Sequence, residues 1–133
     1  MIVAGSSWTS DQIDLSILQD GSEPDISAWV WEVTYFTRPG DGGVPVDDYG
    51  STNGTTIPYL LRKSDSSGVA VDDEAQAIIR LVLTQADTET IRTQLGRDVW
   101  KPRLLTIQLR RTETGEAEHI LFQNDMFIPG GGS

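Results

Sequence analysis

Apolar residues recur at every second position in several short stretches of this chain, and turn-forming residues separate the stretches. From Gln12 to Leu18, Ile13, Leu15 and Ile17 alternate with Asp14 and Ser16, which predicts a strand with one buried face. Gln19-Asp20-Gly21-Ser22 then predicts a reversal, because Asp-Gly accommodates left-handed backbone at little cost. Ile26 to Phe36, rich in aromatic and β-branched residues, predicts the longest strand. Alternation places Trp29, Trp31, Val33 and Tyr35 on one side of it and Ala28, Val30, Glu32, Thr34 and Phe36 on the other. Buried Trp and Tyr need partners for their polar atoms, so this strand belongs at the sandwich centre or at an interface.

The second half of the chain carries the sharpest local signal. Ile78 to Leu83 is an apolar strand broken only by Arg80, and Thr84 follows as an N-cap with Asp87 three residues on, a near-match to a capping box. The helix so started is short, because Gly96 ends the pattern. Leu104 to Arg110 alternates again, Thr112 to Glu116 turns, and His119 to Phe127 predicts the last strand. Between these segments, residues 37–56 predict a long loop with only Val44 and Val46 as an extended piece. Thr56 to Arg62 predicts a strand placed at an edge by Pro58, Val69 to Val71 a short extended piece, and Asp72-Asp73-Glu74 an acidic turn.

Six or seven short strands with one brief helix predict an all-β fold, an antiparallel immunoglobulin-like or jelly-roll β-sandwich. At 133 residues the chain suffices for one core. The expected organisation is an N-terminal arm over residues 1–9, a single sandwich domain over 10–128, and a flexible Gly-rich tail over 129–133. Residues 1–9 read as an arm rather than as part of a sheet. Trp8 is the arm's expected anchor, since a lone large aromatic in a polar segment gains most by filling a partner's pocket.

Charge narrows the partners. Ten Lys and Arg against twenty Asp and Glu give a net charge of −10, so the summed field repels nucleic-acid phosphates and anionic membranes. Arg92, Arg97, Lys101, Arg103, Arg110 and Arg111 fall in the last third, an asymmetry able to orient the molecule on a partner or simply part of a solvated mixture. With no cysteine, neither disulfides nor thiolate chemistry contribute. The N-terminus resembles no signal peptide and no apolar run approaches a membrane span, so residence in the cytoplasm, or in an assembly made there, is expected.

No residue pattern specifies a reaction. His119 is the sole imidazole and has no partner at metal-ligand spacing, which favours a strand histidine over a catalytic base. Asp47-Asp48 and Asp72-Asp73-Glu74 offer oxygens to a hard cation but lack the alternating acids and central glycine of a calcium loop. Gly40-Asp41-Gly42-Gly43 has neither the lysine nor the helix of a phosphate loop. No catalytic residues, cofactor or metal are therefore expected. Trp29, Trp31, Tyr35, Tyr49 and Tyr59 allow a carbohydrate-stacking platform as an alternative to packing at a core or interface.

One resemblance covers most of the chain. An opening alternating strand precedes Pro24-Asp25-Ile26-Ser27-Ala28-Trp29 and Leu61-Arg62-Lys63-Ser64-Asp65. Leu83-Thr84-Gln85-Ala86-Asp87-Thr88, Trp100 and the closing strand from Glu116 to Phe127 follow in that order. This order resembles the small β-sandwich domains of tailed-bacteriophage virions, in particular the N-terminal domain of upper-baseplate proteins and its stand-alone relatives. The resemblance implies a non-enzymatic virion protein, homo-oligomeric, that docks on capsid or tail proteins through sheet faces and terminal arms. The sequence ends near Ile128 with no shoulder or fibre domain after it, which shifts the expectation from baseplate platform to capsid decoration (cement) or tail adaptor. Trp8, Trp29, Trp31, Tyr35 and Tyr49 are the expected partner-interface residues.

Overall fold

A computed structural model of the chain describes residues 1–15, 25–37, 51–52, 55–56, 60–95, 102–113 and 118–129. They form an all-β sandwich with one short helix. One sheet runs in the order β1 (Ile2–Val3), β11 (Glu118–Ile128), β10 (Arg103–Arg111), β4 (Trp31–Thr37), β7 (Leu61–Lys63). The other centres on β9 (Ile78–Leu83), with β8 (Val69–Asp73) along one side and β2 (Trp8–Thr9) and β3 (Ile13–Asp14) along the opposite side. A small hairpin, β5 (Ser51–Thr52) with β6 (Thr55–Thr56), lies within the segment expected to be loop.

The core sits where the sheets face each other. Alternate residues of β9, Ile79, Leu81 and Leu83, meet Trp31, Val33 and Tyr35 of β4, Leu105, Ile107 and Leu109 of β10, and Ile2 and Phe127 at the far edge. In β9, which the sequence presents as an apolar run broken only by Arg80, burial alternates, with Ile79, Leu81 and Leu83 buried and Ile78, Arg80 and Val82 half-buried. On β4 and β10 the face away from this core is buried as well, at Thr34, Phe36, Thr106, Gln108 and Arg110. The Gln108 amide and the Tyr35 hydroxyl are buried and find no hydrogen-bond partner among the described residues.

Two boundaries differ from the sequence reading for local reasons. The strand expected from Ile26 starts only at Trp31, because the Asp25 carboxylate accepts from the Ser27 N–H (3.1 Å) and hydroxyl (2.7 Å), and Trp29 N–H donates to the Ile26 carbonyl. That turn spends the backbone groups a ladder would need. The longest strand is instead β11, eleven residues long. Asp72 and Asp73, expected in a turn, end β8 as strand residues.

The helix, α1 (Gln85–Leu95), starts where the capping box places it. Thr84 N–H donates to Asp87 Oδ2 at 2.8 Å and Asp87 N–H donates to Thr84 Oγ1 at 3.1 Å, the reciprocal pair that satisfies two orphan donors. Lys63 of β7 also pairs with Asp87. Burial pushes the Asp87 carboxyl up, but the Lys63 ammonium and the two Thr84 donors outweigh it and hold the group below the usual carboxylate range. A carboxyl held low in the folded state stabilises above its unfolded pKa of about 4 and loses that contribution as pH falls through the folded value. Asp87→Asn is accordingly expected to lower stability at neutral pH by about 1 kcal/mol, and to flatten the fall in stability below about pH 4. Urea titrations from pH 7 to pH 2.5 read both, and an unchanged acid slope would rule the account out.

Residues 1–9 are not a free arm. Ile2 and Val3 pair parallel with Phe127 and Ile128, whereas Trp8 and Thr9 pair antiparallel with Leu83 and Val82, so the segment crosses from one sheet to the other. The crossing turn is fixed to α1: Gly5 N–H donates to Thr88 Oγ1 (3.1 Å), and the buried Thr88 hydroxyl donates to the Ser6 carbonyl (3.0 Å). Gly5 has φ +81°, left-handed backbone that favours glycine.

Candidate functional site

The residues expected at a partner interface do not gather on the surface. Trp8 is 9% exposed and packs into the core from β2, so it is not the exposed anchor the sequence suggests. Pairing of Thr9 with Val82 on β9 is what turns its ring inward. Trp31 and Tyr35 are core residues of β4, and burial holds the Tyr35 hydroxyl protonated far above its ordinary range. Tyr49 and Tyr59 lie outside the described residues. With Trp31 and Tyr35 turned inward, the carbohydrate platform drawn from the sequence loses two of its rings.

Among the described members of the set Trp29 alone is half-buried, and it belongs to a corner of linked side chains. Its ring lies 5.2 Å from that of Trp31, tilted by 58°, and the Arg111 guanidinium sits 4.0 Å above it. Arg111 also pairs with Glu113, whose Oε1 accepts the Val30 N–H at 3.0 Å. Burial raises the Glu113 carboxyl, but Arg111 and the Val30 N–H outweigh it and hold it below the usual range. The corner closes the end of β4 against β10. Its polar groups are already spent on one another, which makes it a clamp.

The acids at 72 and 73 are likewise engaged: Asp72 accepts from Arg80 Nε at 2.5 Å and Gln12 Nε2 at 3.0 Å, and Asp73 accepts the Gln76 N–H at 3.1 Å. Arg80 foremost, then Gln12, holds the Asp72 carboxyl below its ordinary range. Among the described residues no three His, Asp or Glu side chains are grouped to hold a metal ion. The side chain of His119 falls outside what is described; its backbone pairs with Arg110.

What sequence reasoning missed is a polar cleft of about 430 Å³ along one open side of the sandwich. Its floor is the run from Trp8 to Ile13, and its opposite wall is Gln123, Asn124 and Asp125 of β11. The floor follows from a break in the edge of the second sheet between β2 and β3. There Ser10 takes over the pairing, its N–H donating to the Leu81 carbonyl (2.8 Å) and its hydroxyl accepting the Leu81 N–H (2.9 Å). Arg80 Nη1 donates to the Ser10 carbonyl at 3.1 Å and fixes the bulge from below.

The wall is a sheet rim. Among the described residues, β11 has a partner on its outer side only at Phe127 and Ile128, where β1 lies. The Ile128 carbonyl points outward, since it accepts the Ala4 N–H at 2.9 Å. Main-chain groups alternate sides along a strand, so those of Met126 and Asn124 point outward as well. Met126 N–H confirms the sense, being held by Asp125 Oδ1 at 2.8 Å. Met126 is 39% exposed at this rim and Asn124 is exposed. No family model matches the sequence, and no curated protein matches it.

Proposed function

We propose that this protein is a non-enzymatic structural protein of a tailed-phage virion, docking on capsid or tail as a decoration or adaptor protein. The observation that carries the reading is the rim of β11: a strand edge with outward main-chain groups, bordered by a polar cleft and an exposed methionine. Open edges invite pairing with another chain, and natural folds use them for recognition. The order of segments from Pro24 to Phe127 resembles virion sandwiches, which supplies the class of partner. A net charge of −10 keeps the protein off nucleic acid inside such a particle.

The test is co-sedimentation of the purified protein with purified phage capsids and, separately, with purified tails, alongside its mass by light scattering. Saturable binding to either particle is expected. A protein that stays monomeric and in the supernatant with both overturns the proposal.

A further inference from the structure

We propose that the rim of β11 at Asn124 to Met126 is a strand-addition site that takes an extended, neutral-to-basic segment of a partner protein. This deepens the docking reading and rests on it, by naming the element that docks and the chemistry of what it receives. The chain itself shows that this edge accepts a strand, because Ile2 and Val3 are laid on its last two residues. Continuing the same line upstream, the next outward positions are Met126 and Asn124. The Met126 carbonyl still faces the Ile2 N–H of β1, and Asn124 is the first outward position with no described strand beside it. The cleft beside it gives an incoming backbone room without displacing the core.

Charge selects the occupant. The cleft holds two carboxylates, Asp11 and Asp125, against one ammonium, that of Met1, and its remaining polar lining from Thr9, Ser10, Gln12, Gln123 and Asn124 is neutral, which leaves it net acidic. Asp125 sits where it can receive an ammonium group, since its Oδ1 pairs with the Met1 amine at 3.0 Å. The same oxygen caps the Met126 N–H, so Asp125 shields the outermost rung until a donor or cation competes for it. A second copy is the poorer occupant: edge-to-edge pairing would bring the Asp125 side chains of two bodies together, each body of charge −10. A strand with Lys or Arg at alternate positions would instead place its cations on the cleft side.

The probe is an acetylated, amidated peptide of alternating threonine and lysine, added to the isotope-labelled full chain, with a threonine-glutamate peptide of equal length as its opposite. Backbone amide shifts and hydrogen exchange are read by NMR. The lysine peptide is expected to shift the Asn124 and Met126 amides and to slow exchange at Asn124 at least tenfold, with affinity falling as salt rises. The glutamate peptide is expected to do neither. Asn124→Pro removes an outward N–H while leaving the bonds to β10 in place, so it should weaken peptide binding at least tenfold. Should that variant not fold, the wild-type exchange pattern decides alone, and Asp125→Asn should weaken the lysine peptide severalfold. Responses confined to other surfaces, equal responses to both peptides, or none to either would overturn the proposal. Silent β11 amides with a protein that co-sediments with virions would sink strand addition alone. A responding rim on a protein that ignores both particles would sink the virion reading alone.

Discussion

Truncating Phe127 to alanine is expected to lower the unfolding free energy by about 3–5 kcal/mol, the range for removing a buried phenyl ring. Phe127 is fully buried and stands at the junction of three strands, paired with Arg103 on one side and with Ile2 on the other. The void would open beneath Ile2, itself fully buried and held by only two residues of strand, so the site has little means to collapse without losing β1. Urea unfolding followed by tryptophan fluorescence measures the loss. Amide exchange at Ile2 and Ala4, the two N–H groups of this segment that face β11, should rise together with it. A cost below about 1 kcal/mol would mean that the edge is not packed as described.

The second large effect is electrostatic. Glu32 lies between two arginines on the face of the first sheet away from the core cluster: Arg110 Nε donates to its Oε1 at 2.6 Å, and Arg62 Nε lies 3.4 Å from the same oxygen. The Arg110 and Glu32 side chains are only 7% and 13% exposed. Breaking such a pair by removing one charge costs about 3–5 kcal/mol, because the remaining ion keeps its desolvation without its partner. Glu32→Gln preserves volume and one acceptor, so the expected loss is at the low end, about 3 kcal/mol. The double variant Glu32→Leu with Arg110→Met should recover most of it, since a matched apolar pair has no buried charge to compensate. If the double variant were no better than the single, packing rather than charge would be responsible.

How much of this was readable in the chain divides along the range of the interactions. The strands β9, β10 and β11 and the start of α1 are specified by neighbours a few residues apart, an apolar run in the first, alternation in the next two and the Thr84–Asp87 exchange in the last. Residues 1–9 failed because Ile2, Val3 and Trp8 form two-residue strands, too short to show a period, whose partners lie on β11 and β9. The start of β4 was placed too early because a single Asp25–Ser27 turn outweighs the β propensity of the residues after it. The cleft was invisible for a related reason. Its floor, Trp8 to Ile13, and its wall, Gln123 to Asp125, are mostly polar stretches far apart in the sequence, and nothing in either announces the other.

Pairing of Ile2 with Phe127 also sets the timetable of folding. During synthesis the first strand must wait, with its apolar residues uncovered, until the chain has left the ribosome as far as Ile128 and β11 can form beside β10. Closing so large a loop is slow, because its entropy must be lost before the contact gives anything back. The second sheet, whose strands all lie before residue 84, is complete in sequence well before the first. A nascent chain halted before β11 therefore holds one finished sheet with its core face open, the state in which this molecule is most exposed to aggregation and to chaperones.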